Sequence, residues 1–280
     1  MNFHIIETGY FKLDGGAMFG VVPKVMWNKI NQADDENLCT WSMRSLLVEE
    51  GNKKILIDTG MGDKQGDKFK SHFHPHGKDS LYSSIADAGF SNEEITDVII
   101  THFHFDHVGG AVDVDTKGNY IPAFPNATYW TTKAHYDWAI EPNSREKASF
   151  LKENFVPLRE HGVLKYIDEG EDVKFSEHIK INFVNGHTRS MMVPYIEMGN
   201  GKTLVYCADL LPSHGHVSLP FVMSYDLFPL TTLDEKAALY ERVTDGRHIL
   251  FFEHDKDVAM GTVVKNEKGR VVFGESINQF

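Results

Sequence analysis

The stretch that decides the fold reads THFHFDHVGG and occupies residues 101–110. It places four ligand-type side chains within six positions: His102, His104, Asp106 and His107. Imidazole nitrogen and carboxylate oxygen both suit a borderline divalent metal such as zinc. The apolar run before it, residues 95–100, predicts a buried strand. The ligands then lie on a loop at a strand end, where rigid scaffolds usually carry chemistry, and the Gly-Gly pair permits close backbone approach.

The spacing of these side chains predicts two groups of ligands. His102 and His104 stand two residues apart and point the same way in extended backbone, so they can hold one ion. Asp106 and His107 fall beyond a bend and can hold a second ion. A tetrahedral zinc takes only three or four protein ligands, so four candidates in one loop indicate a binuclear site. The alternative is a polar histidine-rich loop without metal.

Composition limits the class of protein. The chain has 280 residues, of which 41% are hydrophobic, enough for one large domain; we predict a single domain over residues 1–280. The net charge of -12 and the lack of a basic stripe argue against nucleic-acid and anionic-membrane partners. There is neither a signal-peptide pattern nor an apolar run of about 20 residues. The two distant cysteines, Cys39 and Cys207, suggest no disulfide framework, so we expect a cytoplasmic protein.

Hydrophobic patterning predicts alternating strands and helices with much antiparallel pairing. The predicted strands lie near residues 3–8, 42–49, 53–58, 97–100, 127–130, 163–167, 179–184, 192–197, 202–207, 248–252 and 269–273. The predicted helices lie near residues 79–88, 132–140, 145–158 and 233–245. Residues 263–273 predict a hairpin, and residues 72–76, which include three histidines, predict a loop to which we assign no chemistry.

Three more candidate ligands follow apolar strands further along the chain: His187, Asp209 and His254. Each alone is ordinary at a strand end, where such residues form turns. Taken in this order after the HFHFDH loop, they resemble the metallo-β-lactamase superfamily, with its His-x-His-x-Asp-His loop followed by Gly-His, Asp and a late His. The resemblance spans most of the chain. It implies an α/β fold, an αββα sandwich of two mixed β-sheets with helices on the outer faces.

The same resemblance implies a ligand set. One ion is bound by His102, His104 and His187; the other is bound by Asp106, His107 and His254; Asp209 bridges them. Asp106 and Asp209 are the implied catalytic residues, Asp106 as a proton donor to the leaving alkoxide. Asp58 matches a family position that orients a ligand histidine. The implied cofactors are two divalent ions, zinc by ligand type, with iron, manganese and cobalt as alternatives.

Two adjacent ions lower the pKa of a shared water and polarise a carbonyl or phosphoryl oxygen, so the site favours hydrolysis by an attacking hydroxide. Counting two carboxylates, we expect the centre to stay cationic. Within the superfamily, no signal peptide points to a secreted β-lactamase, too little chain follows His254 for a glyoxalase II helical region, and the acidic chain lacks the basic surface of a nuclease.

Residues 14–24 and 209–226 resemble the N-acyl-homoserine lactonase branch, particularly its longer members. This implies a small-molecule lactone or ester substrate. The predicted substrate contacts are Met18, Phe19, Trp27, His214 and His216. Met18, Phe19 and Trp27, with Met26, are predicted to line an apolar groove for an acyl chain, while His214 and His216 are predicted to hydrogen-bond the substrate. The alternative for these residues is packing and hydrogen bonding within their own loops.

Pro212 departs from the branch, because the shorter lactonases place a substrate-contacting tyrosine there. Another ester or an organophosphate therefore stays open as substrate, and a non-catalytic metal-binding module is a further alternative. Cys207 is interpreted as a small core residue rather than a thiolate ligand. The apolar N-terminal segment is a candidate homodimer contact.

Overall fold

The computed structural model describes residues 1–280, which divide into two compact units. The first unit comprises residues 1–10 and 43–169, and the second comprises residues 11–42 and 170–280. One domain over the whole chain stays a prediction. None of the helices combines the length and the hydropathy that crossing a bilayer requires.

The chain forms fifteen strands and eight α-helices, with five short 3-10 turns. The strands are β1 (Asn2–Asp14), β2 (Leu38–Glu50), β3 (Lys53–Ile57), β4 (Asp97–Ile99), β5 (Val112–Val114), β6 (Tyr120–Pro122), β7 (Thr128–Thr132), β8 (Leu164–Ile167), β9 (Val173–Lys174), β10 (Ile179–Val184), β11 (Met191–Glu197), β12 (Thr203–Tyr206), β13 (His248–Phe251), β14 (Met260–Lys265) and β15 (Val271–Ser276). The helices are α1 (Gly15–Phe19), α2 (Lys24–Trp27), α3 (Asp67–Phe73), α4 (Leu81–Asp87), α5 (Phe105–Val108), α6 (Lys133–Ile140), α7 (Val156–Glu160) and α8 (Pro229–Val243).

The sheet of the first unit has the order β1-β2-β3-β4-β7-β8. It is mixed, since β2 and β3 are antiparallel whereas β3, β4, β7 and β8 run parallel. β4 is a central parallel strand and is buried along its whole length, including Asp97 at its start. Because β3 and β4 are parallel, their carboxyl ends lie at one edge, where Asp58 donates its N–H to Ile99 O at 2.9 Å.

The core of this unit anchors the metal-ligand loop through a phenylalanine. Phe103, between the first two histidines of the motif, is fully buried and stacks on Phe155 at 4.6 Å between ring centroids. Burial of such a ring stabilises the fold by about 1.5–3 kcal/mol. Because side chains alternate in extended backbone, inward Phe103 turns His102 and His104 to the opposite side.

The sheet of the second unit has the order β15-β14-β13-β12-β11-β10-β9. β12 and β13 are parallel, and the other neighbouring strands are antiparallel. β10, two antiparallel steps from β12, therefore runs in the same direction as β12 and β13. The carboxyl ends of these three strands lie at one edge of the sheet, and the segments with His187, Asp209 and His254 begin there.

Several local predictions differ from the structure. The helix predicted over residues 145–158 is wrong in its first half, because residues 144–149 form turns and α7 begins only at Val156. Residues 72–76, predicted as a loop, include the end of α3. β5, β6, β9, β14 and the short helices α1, α2 and α5 were not predicted as elements, although the hairpin over residues 263–273 is confirmed by the pairing of β14 with β15.

Candidate metal centre

The motif loop of the first unit has the bend that its spacing predicts. Residues 101–110 are all buried. His104 has extended backbone at the start of α5, and Asp106 and His107 lie within that short helix. His102 Nε2 and His104 Nδ1 lie 3.1 Å apart, so the two histidines separated by one residue face each other as predicted. His107 Nε2 lies 4.0 Å from Asp106 Oδ2.

The two glycines that end the motif are required by close packing. A Cβ on Gly109 would lie 1.9 Å from Met61 O, and one on Gly110 would lie 2.3 Å from Thr59 O. The loop also holds Thr59 in place, because the Thr59 N–H donates to His107 O at 2.8 Å. The predicted close approach of backbone is thus confirmed, and it presses the loop against the end of β3.

Asp58 orients two of the histidines, one directly and one through Thr101. Asp58 Oδ2 accepts from His107 Nδ1 at 3.1 Å and from Thr101 Oγ1 at 2.7 Å. Because the Thr101 hydroxyl donates its proton to Asp58, it accepts from His102 Nδ1 at 3.0 Å. Both histidines therefore carry their proton on Nδ1 and present the Nε2 lone pair. Asp58 has a φ of 57°, a left-handed backbone that this bonding holds in place.

In the second unit, Asp209 lies between two histidines. Its Oδ2 is 3.1 Å from His187 Nε2, and its Oδ1 is 3.2 Å from His254 Nε2. All three side chains are buried. One carboxylate with one oxygen directed at each histidine has the arrangement that a bridging ligand needs.

The far nitrogen of each of these histidines is held by a partner of its own. His187 Nδ1 donates to Asp226 Oδ1 at 3.0 Å, and His254 Nδ1 donates to Ser42 O at 2.8 Å. Burial lowers the pKa of His187, but Asp209 and Asp226 outweigh it and raise the pKa to about 10. A divalent cation would compete with a proton for the His187 nitrogen that faces Asp209.

The donor set fits divalent metal ions. Each unit holds a buried group of histidine and aspartate side chains whose inner atoms lie near one another. Each of the five histidines has one ring nitrogen engaged by an outer acceptor, which leaves the other nitrogen for a ligand role: His102, His104, His107, His187 and His254. Outer partners of this kind are characteristic of histidines that bind metal.

Four of the predicted substrate contacts are buried in the second unit. Trp27, Phe19 and His216 form a stack of three rings, with centroid distances of 5.4 and 4.6 Å. His216 accepts from Ser213 Oγ at 2.7 Å and donates to Met18 O at 2.8 Å. Burial lowers the pKa of His216 to about 3, so this ring is neutral. The burial favours packing within the loops, and a substrate role for these residues stays a prediction.

His214, the fifth predicted contact, differs because its side chain is partly exposed. Asp255 accepts from its backbone N–H at 2.8 Å and from its ring Nδ1, and this hydrogen bond raises the pKa of His214. Its substrate role likewise stays a prediction. Cys207 is fully buried and burial raises the pKa of its thiol, so the interpretation as a core residue is confirmed.

Sequence reasoning missed two buried carboxylates and an aromatic cluster. Glu146 and Asp226 bind ligand-type histidines, but a lone carboxylate in a loop gives no signal of that role. The cluster consists of Phe69, Phe73 and Phe105. Phe69 and Phe73 stand four residues apart on α3, a helical spacing that was readable, but Phe73 lay in the stretch expected to be a loop, residues 72–76.

Comparison with known proteins identifies the fold and the family. The sequence profile of the metallo-β-lactamase superfamily matches residues 44–254. An N-acyl homoserine lactonase of Bacillus thuringiensis is 23% identical over 253 residues, covering 86% of this chain and 88% of the relative. A probable metal-dependent hydrolase from Staphylococcus aureus has a similar structure, with a TM-score of 0.86, 24% identity and coverage of 99% and 98% of the two chains.

A third similar protein is the dizinc quorum-quenching lactonase AidC, solved with the product N-hexanoyl-L-homoserine, with a TM-score of 0.79, 23% identity and coverage of 98% and 94%. The predicted fold class, the α/β metallo-β-lactamase fold with two mixed sheets, is confirmed. Since the family profile covers most of its length, this chain belongs to the metallo-β-lactamase superfamily and is a metal-dependent hydrolase.

Proposed function

We propose that the protein is a dinuclear metal-dependent lactonase that opens the ring of N-acyl-homoserine lactones. The observation that carries the dinuclear part is Asp209, which directs one carboxylate oxygen at His187 and the other at His254. The lactonase relative and the lactonase structure support the substrate class.

We assign the ligands as the resemblance implies. His102, His104 and His187 would hold one ion, Asp106, His107 and His254 would hold the other, and Asp209 would be shared between them. When bound, the ions supply a nucleophile from water at neutral pH and polarise the substrate carbonyl. Asp106 passes a proton to the leaving alkoxide, and Asp58 keeps the His107 proton on Nδ1.

Charge favours a neutral substrate. Three buried carboxylates hydrogen-bond ligand histidines: Asp58, Glu146 and Asp226. With Asp106 and Asp209 they make five carboxylates against the four positive charges of two divalent ions. The expectation of a cationic centre, which counted only the two ligand carboxylates, stays a prediction for the ligands alone. A centre without net positive charge suits an uncharged lactone better than an anionic phosphodiester.

An aromatic surface beside the motif loop suits an acyl chain. Phe105, between the ligand candidates His104 and Asp106, contacts Phe73 at 4.5 Å and Phe69 at 5.0 Å between ring centroids. Phe69 and Phe73 are only partly buried although they pack on this loop. We therefore assign the acyl-chain contact to this cluster, in addition to the N-terminal segment predicted from sequence.

A second candidate function is hydrolysis of another neutral ester or a phosphotriester. Pro212 favours it, because this residue cannot supply the hydroxyl that a tyrosine offers a lactone. Pro212 is buried, and its carbonyl accepts from His254 N–H at 3.0 Å. A neutral phosphotriester would meet the same charge environment as a lactone.

Metal analysis combined with a proton-release assay distinguishes these functions. We expect about two ions per chain and turnover of N-hexanoyl- and N-decanoyl-homoserine lactone. Asp209→Ala should lose at least one ion and most of its turnover. Hydrolysis of an aryl phosphotriester but of no lactone would overturn the lactonase proposal, and two bound ions without any turnover would favour a non-catalytic metal protein. The predicted zinc, cytoplasmic location and homodimer stay predictions.

A further inference from the structure

Glu146 is a buried carboxylate that the assigned reaction does not use. It is 4% exposed and lies in the turns after α6, within the segment wrongly predicted as helix. The turns keep it in place, because Ser149 N–H donates to Glu146 O at 2.9 Å and Phe105 N–H donates to Ser149 O at 3.0 Å. Glu146 is therefore tied by backbone hydrogen bonds to the motif loop.

Two donors of fixed polarity occupy one oxygen of Glu146. Trp138 Nε1 donates to Oε2 at 2.7 Å, and Asn143 Nδ2 donates to the same atom at 3.2 Å. The indole N–H can only donate. The Asn143 amide cannot turn, since its Oδ1 already accepts from the N–H groups of Arg145 at 2.9 Å and Glu146 at 3.1 Å.

The other oxygen of Glu146 faces His104. Oε1 lies 3.0 Å from His104 Nε2, and a carboxylate can only accept, so the His104 proton is on Nε2. The lone pair is then on Nδ1, the atom that lies 3.1 Å from His102 Nε2. His104 is thus the one ligand candidate that presents Nδ1, whereas the other four present Nε2.

We propose that Glu146 is a positioning residue that keeps the Nδ1 lone pair of His104 available for the metal. Trp138 and Asn143 hold Glu146 in place by donating to its other oxygen. The proposal rests on the dinuclear centre proposed above. It also places a negative charge behind His104, which increases the donor strength of the imidazole. His102, by contrast, is backed by the neutral Thr101 hydroxyl.

Glu146→Gln gives a test specific to the tautomer. Trp138 and Asn143 both donate, so they claim the amide oxygen and turn the amide NH₂ toward His104 Nε2. That nitrogen must then accept, and the proton moves to Nδ1, the metal-facing atom. Glu146→Ala imposes no tautomer on His104. The glutamine variant, although closer in shape to glutamate, should therefore bind metal more weakly than the alanine variant.

The experiment measures zinc stoichiometry and affinity by competition with a chelator in the full-length protein. Wild type and the exposed control Glu141→Gln should bind about two zinc ions alike. Glu146→Gln should bind one ion about 10- to 100-fold more weakly and keep the other. Removing one donor, in Trp138→Phe/Glu146→Gln, should recover part of the lost affinity. Circular dichroism of the metal-free variants reports whether each has folded.

The outcomes separate the two proposals. Fewer than two ions in wild type would contradict the dinuclear function itself. Two ions in wild type with unchanged affinity in Glu146→Gln, or weaker binding by the alanine than by the glutamine variant, would overturn the positioning role alone. Should neither variant fold, ¹⁵N-histidine NMR of wild type decides: the His104 signal, assigned from its absence in His104→Asn, should show the Nε2–H tautomer, and an Nδ1–H tautomer refutes the proposal.

Discussion

At the scale of single residues, this protein fixes the tautomer of each candidate ligand histidine through the ring nitrogen that faces away from the proposed metal site. Asp58, Thr101, Glu146, Asp226 and the Ser42 carbonyl each accept a hydrogen bond from one ring. The choice of acceptor fixes the tautomer, and the tautomer decides which nitrogen can bind a metal ion. Whether a histidine can bind metal therefore depends on two residues, the histidine itself and the acceptor behind its ring. The motif shows the histidine but not the acceptor.

His216 follows the opposite rule, because Ser213 of its own loop and the Met18 carbonyl of α1 engage both of its nitrogens. His216→Phe would keep the stack with Phe19 but leave Met18 O and Ser213 Oγ without their partner. We expect a loss of about 1–3 kcal/mol in the free energy of unfolding, measured by urea denaturation at pH 7. KM should stay within about twofold of wild type. A large rise in KM would instead support the predicted substrate contact.

The same variant should change the pH dependence of stability. The pKa of His216 is lowered to about 3 in the folded protein, against about 6.5 in an unfolded chain. Between these values the unfolded state binds more protons, so acidification destabilises the fold, by up to about 1.4 kcal/mol per pH unit. The stability difference between wild type and His216→Phe should shrink as the pH falls from 7 to 5. A constant difference would contradict the assignment of a neutral, buried imidazole.

At the scale of elements, one helix organises the loops of the second unit. Glu235 of α8 accepts from the N–H groups of Asn185 at 2.6 Å and Gly186 at 3.0 Å, just before His187. Lys236 of the same helix is buried and donates to four backbone carbonyls, those of residues 216, 218, 219 and 221, at 2.7–3.3 Å. α8 thus fixes the approach to a candidate ligand and the loop that follows His216.

Lys236→Met keeps much of the side-chain volume and removes all four of these hydrogen bonds. Buried carbonyls that lose their hydrogen-bond donor are costly, so we expect a loss of about 3 kcal/mol in the free energy of unfolding, measured in urea. The exposed Lys265→Met is the matched control and should change stability by less than about 0.5 kcal/mol. Equal stability of the two variants would show that Lys236 does not hold the loop.

α3 offers a functional prediction at the same scale. Phe69→Ala/Phe73→Ala removes two rings that pack on Phe105, and with them apolar surface for a long acyl chain. We expect kcat/KM for N-decanoyl-homoserine lactone to fall about 10-fold or more, with a smaller change for the N-butanoyl substrate. Phe280→Ala, at the exposed end of the chain, is the control. An equal loss for both chain lengths would mean that the rings support the loop rather than the substrate.

The sequence predicted the elements whose pattern is local. The strands that precede the candidate ligands, such as β10 and β13, are rich in apolar residues and are followed by polar ones, and they were predicted within about two residues. The helix predicted over residues 145–158 failed because Glu146 and Phe150 are buried by contacts with His104 and its neighbours, distant in sequence. Helical propensity there is overridden by tertiary contacts, which no local pattern reports.

The same distinction between local and distant contacts decides which residues of the candidate site could be predicted. His102, His104, Asp106 and His107 stand in one motif and could be named from it. Their outer carboxylates could not, since Glu146 lies 42 residues from His104 and Asp226 lies 39 residues from His187. The family resemblance transfers ligands by position, whereas the acceptor behind each ligand depends on how this chain folds its loops.

At the scale of the whole molecule, metal and folding should be coupled. Buried histidine and aspartate side chains occupy the strand ends in both units, so the folded chain holds ligand-type groups together that the unfolded chain does not. An ion that binds the folded chain and not the unfolded chain stabilises the fold by mass action, by about 2.7 kcal/mol at 100 times its dissociation constant.

Dialysis against a chelator should therefore abolish turnover and lower the melting temperature by about 5 °C or more, measured by scanning calorimetry. Adding about two equivalents of zinc should restore both. Asp209→Ala should show a low melting temperature that zinc raises less than in wild type, because the oxygens directed at His187 and His254 are gone. If metal did not change the melting temperature of wild type, the buried ligands would be satisfied without metal. Folding and metal binding would then be thermodynamically independent.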